Sequence, residues 1–221
     1  MKTRLISLLM IFMLSASFSM AQSKMSFGVL GGINFQNING KDYNGDKLTN
    51  DMILGYHIGG NVQIPIVPEF YFQPGLMFTT AGAKNKSAES TSTTKLSYIQ
   101  VPLNFLYKGA LGNGFVMVGF GPYVGYAIGG KIKTEGNSAT VNQTIKFKSK
   151  VGANDDPLVP YYKAFDAGAN IFAGYEMASG LFFQLDTQFG MVNIFPDYTQ
   201  YPDGKTSYKN TGFGLSLGYR F

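Results

Sequence analysis

The sequence has no cysteine, no tryptophan and a single histidine, His57, among its 221 residues. Without cysteine there can be no disulfide, no thiol chemistry and no lipid attached through a thiol. No cluster of metal-ligating residues is present either. Charged residues make up only 14%, light for a soluble domain, while an apolar content of 45% is too high for a disordered chain. No apolar run reaches the ~18 residues of a membrane-spanning helix, which excludes a helical membrane protein. Formal net charge is +5, or +3 once Lys2 and Arg4 are set aside with the leader described below, too mild to argue for nucleic acid.

What the chain does have is glycine and aromatic residues: 28 Gly, 14 Tyr and 19 Phe, a set that suits strands and tight turns better than helices. Its length fits one domain. Residues 1–21 read as a cleaved secretory signal peptide. Lys2 and Arg4 form the basic start, Ile6 to Leu14 the apolar stretch, and Ser19-Met20-Ala21 the cleavage site. The expected organisation is therefore a leader, 1–21, and a single domain, 22–221.

Eight segments alternate with a period of two, each about as long as a tilted membrane strand requires. They run about 26–37, 54–66, 70–82, 96–107, 115–130, 163–177, 180–192 and 209–221. In the second, Leu54, Tyr56, Ile58, Val62 and Ile64 face away from His57, Gly59, Asn61 and Gln63. In the last, Phe213, Leu215, Leu217, Tyr219 and Phe221 oppose Gly212, Gly214, Ser216 and Arg220. The fifth is apolar on both faces, and its sides cannot be assigned from the pattern. Short connections (67–69, 108–114 and 178–179) alternate with long polar ones (38–53, 83–95, 131–162 and 195–208). That alternation points to an eight-stranded antiparallel up-and-down transmembrane β-barrel, with periplasmic turns and extracellular loops.

Periodicity alone does not separate a membrane barrel from a soluble one that points its apolar face inward around a ligand. The ending decides between them: Leu217-Gly218-Tyr219-Arg220-Phe221 resembles the signal read by the outer-membrane barrel assembly machinery, with Tyr219 and Phe221 as its carriers. The expected location is the cell outer membrane. Without tryptophan, the interfacial girdles must come from Tyr and Phe. Tyr107, Tyr175, Tyr219, Phe72 and Phe115 would mark the periplasmic boundary.

The chain also resembles the PorT-like outer-membrane β-barrel family, porin-like small barrels of Gram-negative bacteria. The resemblance rests on Phe27-Gly28-Val29, Gly31 to Phe35, Tyr98 to Leu103 (YIQVPL), Gly119 to Gly125 (GFGPYVG) and Gly190 to Ile194. It implies a small outer-membrane barrel. Some members of that family are accessory to type IX secretion and gliding, so secretion-complex proteins become one class of partner.

An eight-stranded barrel has an interior that side chains fill, which argues against a diffusion pore. His57, Asp166, Glu176, Asp186 and Arg220 are expected to form a satisfied polar network in the lumen, with Arg220 reaching Glu176. As a general base His57 would need a nucleophile and an orienting group, and no motif supplies them, so no catalysis is expected. Asp42-Tyr43-Asn44-Gly45-Asp46 opens like a calcium loop, but Lys47 and Ile53 stand where Gly and Glu belong, which favours a plain turn-rich loop. No metal or cofactor is expected. In the longest loop Lys146, Lys148 and Lys150 alternate at the strand period and would present three ammonium groups on one face to an anion, most simply lipopolysaccharide phosphate. The sequence reading is a monomeric, non-catalytic outer-membrane barrel with a structural or interaction role, its partners being membrane lipid, the assembly machinery and secretion proteins. Two alternatives stand beside it: a soluble exported barrel binding an apolar ligand, and a barrel enzyme acting on lipid or peptide at its rim.

Overall fold

In the computed structural model, residues 25–137, 139–200 and 204–221 are described. The expected signal peptide, 1–21, lies outside them. Eight long strands form the wall: β1 (Ser26–Lys41), β2 (Ile53–Val67), β3 (Phe70–Lys86), β4 (Ser90–Leu111), β5 (Gly114–Gly136), β6 (Phe165–Met177), β7 (Leu181–Gly190) and β8 (Ser207–Arg220). Each pairs antiparallel with its chain neighbour. β1 with β8 and β5 with β6 complete a ring that leaves no free edge along the barrel.

Turns at one end are short, and the second is shorter than expected, two residues in place of the stretch 108–114. Pro68-Glu69, Gly112-Asn113 and the stretch 178–180 reverse the chain, with Gly112 and Gly180 at positive φ (59° and 89°), where a side chain would be strained. The other end departs from expectation in one respect. The polar stretch 83–95 is mostly strand: β3 and β4 continue to within three residues of each other, at 87–89. β4 and β5 are 22 and 23 residues long, more than a bilayer crossing needs, so their outer ends, about 90–95 and 131–136, stand beyond the membrane. Residues 140–144 add a further strand to the β5 edge there.

The ring is apolar outside and mostly polar inside. Phe27, Tyr56, Ile58, Leu76, Phe120, Leu185 and Leu217 are all half-exposed or more on the outer surface, whereas Asn34, Gln36, His57, Gln73, Asn104 and Asp166 are buried. So continuous an exposed apolar girdle fits contact with lipid. The fifth strand resolves cleanly: Val118, Phe120, Val124, Tyr126 and Ile128 point out, and Met117, Tyr123 and Ala127 point in. Phe115 shares the inward parity of Met117 and lies under the Lys108 ammonium, 4.8 Å from the ring centroid. It belongs to the inner mouth and not to the outward girdle expected of it.

The interior is also less uniformly polar than the pattern suggested. Leu30, Leu106, Met117, Phe172 and Phe182 pack together as an apolar layer across the periplasmic half of the lumen. Glycine makes this possible. The Phe172 ring occupies the place where a Cβ on Gly119 would be, and Phe182 does the same over Gly218. A narrow barrel fills its inside by laying an aromatic ring flat on a bare stretch of strand.

Candidate functional site: the lumen and its outer cap

Three polar layers and one apolar lid lie along the barrel axis. At the periplasmic mouth Glu176 sits between two cations. Lys108 Nζ donates to its Oε1 at 2.6 Å, and Arg220 Nε lies 3.5 Å from its Oε2, within ion-pair range but without hydrogen-bond alignment. Arg220 Nη1 donates to Asn61 Oδ1 at 2.6 Å, and its guanidinium covers the Phe182 ring at 5.3 Å. Lys108 was missing from the sequence reading, which placed it in a turn. It shares the inward parity of Asn104 and Leu106, and that signal was available.

Above the apolar layer lies a cavity of about 90 Å³ lined by Asn34, His57, Asn104, Gln184, Asp186 and Ser216 among others. That is well below the ~300 Å³ at which small-molecule sites begin. Asn34 Nδ2 donates to Thr79 Oγ1 at 3.0 Å and to the Thr80 carbonyl at 2.9 Å, so its Oδ1 faces His57 Nδ1 as an acceptor at 3.1 Å. A neutral His57 then carries its proton on Nδ1, and Nε2 accepts from the Ser216 hydroxyl at 2.8 Å. Asp186 Oδ1 stands 3.4 Å from the same hydroxyl. These contacts bring a serine, an imidazole and an orienting amide into the order that nucleophilic catalysis uses. Gly32 on β1 stands opposite both Ser216 and His57, which places the two side chains next to each other inside the ring. The pieces bind one another. Ser216→Ala should therefore leave the barrel assembled while lowering its stability by about 1–3 kcal/mol, the cost of leaving buried partners unsatisfied. The urea midpoint in detergent micelles measures this; an unchanged midpoint would mean that the hydroxyl bridges nothing.

Further out, fully buried Asp166 accepts from Tyr123 Oη at 3.2 Å and Asn210 Nδ2 at 3.0 Å through one oxygen, and Asn210 also donates to Tyr98 Oη at 3.1 Å. Then comes the lid. Ile145, Tyr162 and Ile194 from the long loops descend onto Leu96, Tyr98 and Ala127 of the wall, forming a second buried cluster. Burial pushes the Tyr162 hydroxyl up to about 12. Short parallel pairings, 146–147 with 161–162 and 150–151 with 197–198, fix the loops to one another.

The three loop lysines are all exposed, but not as a single row: a bend at Ser149 separates Lys150 from the others. Lys148 is also committed, donating to both oxygens of Asp155 at 2.7 Å. That ammonium and the Gly152 amide hold the Asp155 carboxyl below the usual carboxylate range. In the first outer loop, Asp42 Oδ1 accepts the backbone N–H groups of Asn44, Gly45 and Asp46 at 2.9–3.0 Å, so the calcium-like stretch folds as a self-capped turn. Among the described residues, no group of three or more His, Asp or Glu is placed to hold a metal. Tyr219 is outward and half-exposed, with its ring against Phe221 at 5.0 Å.

A closed eight-stranded ring, apolar outside and packed inside, coincides with a family-level match: the model for the outer membrane protein beta-barrel domain fits residues 20–196. The chain belongs to that family. Among solved structures, this outer-membrane barrel is similar to Ail, the attachment invasion locus protein of Yersinia pestis, at 10% identity and a TM-score of 0.38, covering 89% of this chain and 99% of that one. It is similar to the Neisserial surface protein A at 13% and 0.40, covering 89% and 97%. The outer membrane protein AlkL follows at 14% and 0.34, covering 88% and 90%. Likenesses this weak carry no functional weight. Comparison with curated proteins finds no match.

Proposed function

We propose that this outer-membrane barrel is non-catalytic and works by contact, using the ordered outer surface of its loops as an interaction platform. The observation that carries this reading is the apolar lid: Ile145, Tyr162 and Ile194 seal the outer mouth over Tyr98 and Leu96. A loop packed into a core is poorly suited to gating a flow, and well suited to holding its outward face in one shape. The internal cavity of about 90 Å³ supports the same reading, being too small to pass a solute. The resemblance to PorT-like barrels makes a component of a protein-secretion complex one class of partner, and outer-leaflet lipopolysaccharide is another.

Photo-crosslinking in native membranes tests the proposal. A photoreactive residue at Leu158, the most exposed apolar side chain of the lid loop (77%), should give a discrete adduct. The same probe at lipid-facing Leu76 should give only lipid. A Leu158 pattern identical to that from Leu76 would overturn the contact role, and a protein adduct would decide between the two classes of partner.

A further inference from the structure

We infer that the outer wall of β3–β5 binds a phosphorylated lipid of the outer leaflet, through Lys95 and Lys131 with Lys84 beside them. The inference rests on the contact role proposed above and names a partner for it, at a different place from the loop lysines.

Cross-strand register builds the patch. Lys95 on β4 is directly opposite Lys131 on β5, and Lys84 on β3 is opposite Thr93, which is in turn opposite Lys133. Residues directly opposite on antiparallel strands share a face, and like charges so placed repel. Neighbouring cations are already answered from within: Lys133 pairs with Glu135 at 2.6 Å and Lys86 with Asp51 at 2.7 Å. Among the described residues, neither Lys95 nor Lys131 has a carboxylate within ion-pair distance. The repulsion is left for something outside the chain to relieve.

Position and shape say what that something is. An open groove of about 420 Å³ runs between Lys84, Lys95 and Lys131 and the apolar flank of Met52 and Leu54; its one carboxylate, Glu135, is committed to Lys133. Directly below, the outward face is lipid-facing: Ile99, Tyr126 and Ile128 are exposed apolar residues. An irregularity in the β4–β5 register at Ser97/Tyr98 returns Lys131 to the outward face although it is three residues beyond Ile128. Roughly 10 Å along the strand sets its ammonium at headgroup height. A ligand with phosphate at that height and acyl chains beneath it complements both halves of the groove. A soluble anion would use only the lysines.

The test uses folded protein and three probes: a diphosphorylated diglucosamine lipid, its dephosphorylated form, and inorganic phosphate. Wild type should retain the phosphorylated lipid through gel filtration in neutral detergent, and lose it progressively as salt rises. Lys95→Gln with Lys131→Gln should lower retention about twenty-five-fold, at roughly fivefold per lysine facing an anionic surface. Lys146→Gln with Lys150→Gln should leave it unchanged. Folding of each variant is read from its heat-dependent gel mobility, and the salt dependence of wild type serves as the test should the double variant not fold. Equal retention of the dephosphorylated lipid, displacement by millimolar inorganic phosphate, or full retention by a folded Lys95/Lys131 variant would each overturn the site. Those results would leave a Leu158 crosslink, and with it the contact role, standing.

Discussion

Replacing Glu176 with Gln should cost the folded barrel roughly 3–5 kcal/mol, the usual penalty for removing one member of a buried ion pair. The carboxylate side chain is 6% exposed and its cations, Lys108 and Arg220, are 11% and 5% exposed, so water offers little compensation. With the charge gone, two positive groups face each other across the periplasmic mouth. Adding Lys108→Met to Glu176→Gln should recover part of the loss, because only Arg220 then remains and it keeps Asn61. Urea midpoints in detergent micelles measure both variants. A loss below about 1 kcal/mol for Glu176→Gln would mean that the mouth is as wet as a surface ion pair.

Phe120→Lys should destabilise the barrel in a bilayer by about 2–4 kcal/mol, while Tyr126→Lys should cost no more than about 1 kcal/mol. The two residues are equally exposed, at 61% and 62%, and both point outward from β5. Depth is what separates them. Phe120 lies in the middle of the lipid-facing stretch, packed at 6.2 Å against Phe105, whereas Tyr126 is six residues nearer the outer interface. Reversible unfolding from lipid vesicles gives the two values, and equal costs would mean that β5 does not cross hydrocarbon along its length.

Much of this was legible in the sequence, because lipid imposes a strict rule: an outward residue must be apolar, and its neighbours face the other way. Seven of the eight strands showed that alternation, and both inside and outside followed once the chain was read as a membrane barrel. β5 hid its facing because glycines at 119, 121 and 125 have no side chain to declare a side, and Met117, Tyr123 and Ala127 inside are as apolar as the girdle outside. The outer ends of β3–β5 hid for the opposite reason. Ser90 to Lys95 is polar on both faces, and in Lys131 to Glu135 the single Ile132 packs on the lid cluster, too little apolar pattern to mark a strand, so the stretch reads as loop.

The candidate site was legible in part. Glu176 and Arg220 could be brought together because both sit inward near the periplasmic end, and parity plus height is a sequence argument. The Asn34–His57–Ser216–Asp186 chain was not accessible that way. Ser216 is 159 positions from His57 and their strands are not neighbours; contact between them crosses the bare face of Gly32 on β1. The lid was invisible for a similar reason, since Ile145, Tyr162 and Ile194 are isolated apolar residues in polar loops, and only the closed ring shows what they cover.

Because the chain contains no cysteine, single cysteines along β5 can report its facing without background. The central claim is a closed ring with its apolar face in lipid and its interior packed, and β5 is the strand whose sequence says least about it. Met117→Cys, Tyr123→Cys and Ala127→Cys should resist both a membrane-soluble and a water-soluble maleimide in intact outer membranes. Val118→Cys, Phe120→Cys and Val124→Cys should react with the membrane-soluble reagent and carry a fluorophore that nitroxide-bearing lipids quench. Reaction of the inward three from the lipid phase, or of the outward three with the water-soluble reagent, would contradict the account.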